Sequence, residues 1–283
     1  TGLFKPGERV RLRFINAGAS TYFYLQSATG PLKIVAADGP PVKPIEVNRL
    51  LTGMAETYDV IVKIPRAGRW EVRATSQDGS GHASIYLGDG ELHAAPDIPR
   101  PDNYRMDSHL MAAMDEMDME DMEDMPAHHQ HGGGGKGPAE SERPLPPYSK
   151  LRALHNTEFP ASLPRRVLEM RLTGDMERYI WSFNGKTFAE DGIVPVKKGE
   201  VIRMEFINVT MMHHPIHLHG HFFRVLAGQG KDAPLKHTID VPPMGKRTIE
   251  FQADNSGDWL LHCHLLYHMH AGMTRIVSYQ SKG

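Results

Sequence analysis

Apolar and polar residues alternate along Val10-Arg11-Leu12-Arg13-Phe14-Ile15, the two-residue period of a strand buried on one side. Lys33 to Ala36, Tyr58 to Val62 and Trp70 to Ala74 predict further strands, separated by the turn signals Pro6-Gly7, Asp38-Gly39-Pro40, Ala67-Gly68 and Asp78-Gly79. Past residue 147 the strand pattern returns. Ile180-Trp181-Ser182-Phe183 runs into Asn184-Gly185, which predicts a hairpin at that point. Val201 to Asn208 echoes Val10 to Asn16: each follows a Gly-Glu pair and each ends on Asn. This predicts an internal repeat of one β-domain type, built as an antiparallel sandwich or barrel.

The intervening stretch, 101–147, has no such pattern. Between Pro101 and Pro147 there is no Val, Ile, Thr, Phe or Trp, and acidic residues, Met, His, Gly and Pro dominate. Such a segment cannot bury enough apolar surface to offset its ordering entropy. The expected layout is therefore a β-domain over 1–100, a flexible linker over 101–147 and a second β-domain over 148–283.

Composition narrows the function. Apolar residues at 40% exclude wholesale disorder, and a net charge of −2 gives no sign of nucleic-acid binding. No run of ~18 apolar residues predicts a membrane span, and a single cysteine excludes an intrachain disulfide. The chain begins Thr1-Gly2-Leu3, so it reads as processed or truncated, with its targeting information missing. What stands out is 17 His and 16 Met, both clustered. Clustered borderline and soft ligands point to a metal.

Two segments hold most of the clustered histidines: His213-His214-Pro215-Ile216-His217-Leu218-His219-Gly220-His221, and His262-Cys263-His264 continuing to His268, His270 and Met273. Strand parity sorts them, because i and i+2 share a face and i+1 points away. His217, His219, His262 and His264 then form an imidazole-only site, while Cys263 joins His214 on the opposite face. His268 and Met273, at five-residue intervals after Cys263, complete a thiolate, two imidazoles and a thioether. That is the ligand set of a blue electron-transfer copper. Gly272 would let the loop fold closely around the metal, and the backbone on either side of Cys263, to His262 and His264, joins the two sites. Structural zinc normally wants more thiolates and has no use for Met. A nucleophilic cysteine would not need so many histidines. His213, His221 and His270 are left as supporting or surface residues.

Here the chain resembles the multicopper oxidases, on His-Pro-Ile-His-Leu-His-Gly-His (214–221) and His-Cys-His-(x)3-His-(x)4-Met (262–273). It is most similar to their copper-resistance subgroup, the CopA-like oxidases of the bacterial periplasm. That similarity rests on Phe4 to Asn16, Ala36-Ala37-Asp38-Gly39, Ala55 to Val60, Trp181-Ser182-Phe183-Asn184-Gly185 and Thr210 to Pro215. The resemblance implies an all-β fold of two cupredoxin-like Greek-key domains joined by the Met/His-rich linker. It implies a type 1 copper on His214, Cys263, His268 and Met273, a type 2 copper on His217, and a type 3 pair on His219, His262 and His264. The family's trinuclear cluster uses eight histidines and this chain supplies four, so a first cupredoxin domain is expected as a missing partner. Some relatives carry an acid just after the type 1 His, where this chain has Met269 and His270, so no proton donor is named.

The expected activity is oxidation of Cu(I) or a small phenol-like donor, coupled to four-electron reduction of O2 to water. Met111, Met114, Met122 and Met125 would share a face of a linker helix, with Met117 and Met119 between them and His128, His129 and His131 beyond. Thioethers suit Cu(I), and carboxylates and imidazoles suit Cu(II), so the linker is a candidate copper-capture segment, against the reading of an inert solvated linker. The alternative function is a copper-sequestering protein without turnover. A nitrite-reducing copper enzyme is a third reading, which fails to explain His-Cys-His together with His-x-His in one domain.

Overall fold

The computed structural model describes residues 4–101 and 143–279, and strand dominates both stretches. In the first, β1 (Arg9–Ile15), β6 (Thr57–Lys63), β3 (Leu32–Ala37) and β4 (Pro41–Val47) form a sheet in the order β1-β6-β3-β4. A second sheet runs β5 (Leu50–Thr52), β2 (Phe23–Ser27), β7 (Arg69–Ser76), β8 (His82–Leu87), with β9 (Leu92–His93) paired to β7. The alternation in β3 and β6 buries Leu32, Ile34, Tyr58 and Val60.

The second stretch repeats this plan and extends it. Its larger sheet runs β11 (Ile180–Phe183), β10 (Arg165–Asp175), β13 (Val201–Asn208), β18 (Lys246–Gln252), β15 (Phe223–Leu226), β16 (Leu235–Lys236). The other runs β12 (Ile193–Val196), β20 (Thr274–Tyr279), β19 (Asp258–Cys263), β14 (His214–Leu218), β17 (Thr238–Val241). The order β13-β18-β15-β16 matches β1-β6-β3-β4, and β17-β14-β19-β20 matches β5-β2-β7-β8. Among the described residues the one α-helix is α1 (Leu266–His270).

The repeat extends to single hydrogen bonds. Ile64 N–H donates to the Glu8 carbonyl at 3.0 Å, and Ala253 N–H to that of Glu200 at 2.8 Å. Asn16 and Asn208 close their strands alike: each side-chain oxygen accepts an amide two residues on, from Gly18 and Thr210. Each side-chain amide donates to carbonyls at or beyond the end of a neighbouring strand, among them Thr52 and Pro242.

The hairpin expectation needs one correction. Asn184 and Gly185 both have positive φ (53° and 70°), as a two-residue hairpin turn requires. The turn closes only a single bridge, Phe183 to Lys186. β11 pairs instead backward with β10, in register Leu172 to Phe183, because the long β10 offers a whole strand edge that the residues after Gly185 do not.

A buried polar seam joins the two stretches. Tyr22 donates to Asp240 at 2.7 Å, and Tyr148 donates to Glu56 at 2.7 Å while accepting the Asp240 amide at 2.8 Å. Lys236, fully buried, lies 3.0 Å from Asp38 and 3.1 Å from Glu56. Burying one ammonium with two carboxylates is tolerable because Lys236 sits between them and because burial, with Asp38 nearby, pushes Glu56 up toward its neutral form.

Candidate metal centre

β14 and β19 are neighbours in the five-stranded sheet, and their register places the histidine segments side by side: Ile216 opposite Cys263 and His217 opposite His262. The pleat then divides the side chains. His214, Ile216 and Cys263 point into the interior and are fully buried. His217 and His262 point to the other side.

The chain beyond Cys263 is folded back onto the interior face. The His264 amide donates to the Pro215 carbonyl at 2.6 Å, α1 makes one turn, and the Met273 amide donates to the His268 carbonyl at 3.0 Å. The Cys263 amide donates to Met273 at 3.1 Å, which brings Met273, itself buried, beside the cysteine. Gly272 permits this return. Its φ is +120°, and a Cβ there would lie 2.8 Å from the Thr187 Cβ and from the Trp181 carbonyl. The close approach is thus to Thr187 and Trp181.

Three potential ligand atoms converge on this interior face. Cys263 Sγ is 3.6 Å from His214 Nδ1 and 3.7 Å from His268 Nδ1, and the two nitrogens are 3.1 Å apart. Thr210 donates its hydroxyl to Asn208 at 2.8 Å, so at 2.8 Å from His214 Nε2 it is the acceptor. The His214 proton therefore sits on Nε2, and Nδ1 offers its lone pair toward the sulfur. Trp181 stacks on His268 with centroids 3.7 Å apart. His268 Nε2 and Trp181 Nε1 are buried without a hydrogen-bond partner. Burial pushes the His214 pKa down, takes His268 to about 4, and pushes the Cys263 thiol up. A bound cation reverses the last of these, because it favours the thiolate directly.

Four imidazoles gather on the other face. His217 lies 4.6 Å from His219, 5.6 Å from His262 and 5.9 Å from His264, centroid to centroid. His219 Nε2 is 3.2 Å from His262 Nε2. The His237 carbonyl lies 2.8 Å from His217 Nδ1, and the Cys263 carbonyl 3.0 Å from His262 Nδ1. A carbonyl can only accept, so both rings carry the proton on Nδ1 and leave Nε2 unprotonated. Burial lowers His217 to about 3 and His262 to about 4, which keeps both neutral, the form that binds metal.

His213 bonds Asp240 at 3.0 Å, and His221 bonds the Tyr279 hydroxyl at 2.6 Å. His270 is exposed. Met111, Met114, Met117, Met119, Met122, Met125, His128, His129 and His131 lie outside the described residues. Sequence reasoning missed His237, whose ring is 4.9 Å from His217 and whose carbonyl orients it. It also gave no role to Thr210 or Trp181. Lys236-His237-Thr238 lacks any ligand spacing, so only the register of Thr238 opposite His217 reveals the contact.

A buried His-Cys-His set on a strand-and-loop frame is a candidate metal site in a cupredoxin-like fold. The comparisons are more specific. Residues 1–89 and 161–282 each match a multicopper oxidase family model. The chain is 35% identical to copper resistance protein A of Escherichia coli, over 98% of this chain and 56% of that protein. It is 32% identical to the multicopper oxidase MmcO of Mycobacterium tuberculosis, over 97% of this chain and 47% of that protein. Among solved structures it resembles the laccase of Botrytis aclada, with a TM-score of 0.68 at 21% identity, covering 99% of this chain and 53% of that one. Fet3p, described as a multicopper oxidase that functions in iron import, gives a TM-score of 0.68 at 16% identity, covering 98% of this chain and 56% of that one. The chain belongs to the multicopper oxidase family. It spans about half the length of the curated relatives it matches.

Proposed function

We propose that this chain forms the electron-entry part of a copper-oxidising multicopper oxidase. In this reading 1–100 and 148–283 are two cupredoxin-like domains and 101–147 links them. His214, Cys263, His268 and Met273 hold a type 1 copper, His217 a type 2 copper, and His219, His262 and His264 part of a type 3 pair. A further cupredoxin domain supplies the remaining cluster histidines. Copper held at these positions supplies one-electron oxidation of a donor coupled to four-electron reduction of O2 to water.

The observation that carries this reading is the convergence of Cys263 Sγ, His214 Nδ1 and His268 Nδ1 in a buried pocket. Mixed thiolate and imidazole donors fit copper, and the unpartnered buried nitrogens nearby lose nothing further by excluding water. The chain's own contribution is orientation. Thr210 fixes the His214 tautomer, the His237 and Cys263 carbonyls fix those of His217 and His262, and burial keeps the rings neutral. Cys263 is covalently continuous with His262 and His264, so the two faces are a few bonds apart.

Cu(I) is the favoured donor and the periplasm the favoured location, because copper resistance proteins are among the most similar relatives and residues 106–131 are rich in Met and His. No helix among the described residues is long and apolar enough to cross a membrane. Deleting 106–131 from the copper-loaded oxidase should lower kcat/KM for Cu(I) and leave that for a phenol unchanged. Oxygen uptake with either donor separates this from copper sequestration without turnover: none from the complete, loaded protein would sink the oxidase reading.

A further inference from the structure

Asp38 belongs to the half without candidate ligands, yet it reaches the imidazole face of the other. It is buried at the end of β3 with φ +52°, a left-handed conformation unusual for a residue other than glycine. Oδ1 accepts the Thr57 amide at 2.9 Å. Oδ2 accepts two successive amides across the seam, those of His237 at 3.1 Å and Thr238 at 3.0 Å. The Thr238 amide and the His237 carbonyl belong to one peptide unit. Peptide planarity makes its N–H and C=O point in opposite directions, so a carboxylate holding the N–H also aims the carbonyl. That carbonyl accepts the His217 Nδ1 proton at 2.8 Å, and the Thr238 hydroxyl lies 3.1 Å from the same nitrogen.

We propose that Asp38 is a positioning residue for His217, acting through the His237–Thr238 peptide. The relay is carboxylate, amide, carbonyl, imidazole. Each hydrogen bond polarises the next, so the carboxylate makes the His237 carbonyl a stronger acceptor and the His217 ring a better-oriented, more basic donor through Nε2. Lys236, itself tied to Glu56, holds the carboxylate in place from the side. The inference rests on the reading of His217 as a copper ligand. It assigns to the ligand-free half a part in the copper site: the seam orients a ligand as well as joining two sandwiches.

The test uses protein labelled with 15N-histidine, free of metal, with Asp38→Ala and with Asp38→Asn, which keeps the volume if the alanine variant fails to fold. The His217 Nδ1–H signal is identified by its loss in His217→Ala. Its solvent exchange should accelerate roughly tenfold in either variant, as expected for one weakened hydrogen bond. The His262 Nδ1–H, bonded to the Cys263 carbonyl away from this relay, should stay as in the unaltered protein. Unchanged exchange at His217 would overturn the proposal, and so would equal acceleration at both rings, which a general loosening gives. In a Cys263→Ser background, where the imidazole face is the binding site that remains, Asp38→Asn should weaken Cu(II) about 10–100-fold in chelator competition. An unmoved affinity would overturn the relay to the metal site. If Cys263→Ser with Asp38 intact takes up no copper, the copper reading of His217 fails, while the exchange experiment still decides the role of Asp38.

Discussion

The two halves share a strand order, a Gly-Glu entry and an Asn closure, and they differ where the chemistry lies. The register makes the comparison residue by residue. Leu25 faces Ala74 as Ile216 faces Cys263, and Gln26 faces Arg73 as His217 faces His262. Phe23 faces Thr52 as His214 faces Val241. Where the second half has His214, His217, His262 and Cys263, the first has Phe23, Gln26, Arg73 and Ala74. Arg73 there serves packing: its guanidinium is buried against Glu71, at 2.9 Å, and reaches Asp97. One scaffold thus carries either a candidate metal site or an ion pair on the equivalent strands. The fold does not dictate the site.

The sharpest way to break this comparison is at the sulfur. Copper-loaded protein should show an intense thiolate-to-copper absorption, and Cys263→Ser should abolish it. Adding Ala74→Cys to that variant should not restore it, because Phe23 stands where His214 supplies the imidazole beside Cys263. Colour in the double variant would show that the frame alone suffices.

Next in size is the ion pair of the first half. Arg73→Met leaves Glu71 buried without its cation, which should cost about 3 kcal/mol in urea unfolding. The copper absorption of the remaining folded protein should be unaltered. Loss of colour in parallel with stability would mean that the halves cannot be treated separately.

A smaller difference is expected between two glycines. Gly272 and Gly39 both have left-handed φ, +120° and +102°, but a Cβ would collide only at Gly272. Gly39→Ala should cost about 1 kcal/mol from backbone strain, and Gly272→Ala about 1–2 kcal/mol more from the crowding on Thr187 and Trp181. Similar unfolding midpoints would argue that the loop after Cys263 yields freely.

The mildest effect near neutrality is that of acid on metal-free protein. Burial holds His217 at about 3, and His262 and His268 at about 4, below the usual 6.5. Their contribution is complete above pH 6.5 and is lost as pH falls toward 4 for His262 and His268 and toward 3 for His217, since the unfolded chain takes up protons that the folded rings refuse. Burial opposes the shift of Glu71, yet Arg73, Ser84 and the Ala95 amide bring it from the usual 4.5 to about 2. Its contribution is complete above pH 4.5 and is lost only toward pH 2. Acid should therefore loosen the second half first. Trp181 and Trp259 report on that half and Trp70 on the first, so tryptophan fluorescence of single-tryptophan variants checks the order. A common onset below pH 4.5 would contradict it.

Much of this protein is determined locally. The two-residue period of Val10 to Ile15 and Val201 to Asn208, the Gly-Glu and Asn punctuation, and the spacing of His217, His219, His262, Cys263 and His264 all act within a few residues, so the all-β class, the repeat and the two-faced sorting of candidate ligands are legible in the sequence. What lay beyond it required partners far apart in the chain. β11 pairs with β10 because of a competition between strand edges that no turn motif records. The setting of the site also depends on separation: Asp38 reaches Thr238 across 200 positions, Trp181 covers His268, and Lys236 is buried between two carboxylates of the other half. Periodicity tells a side chain which face it lies on. Only the packing of one sandwich against the other decides what meets it there, because burial energies and hydrogen-bond geometry depend on distance in space, not on distance along the chain.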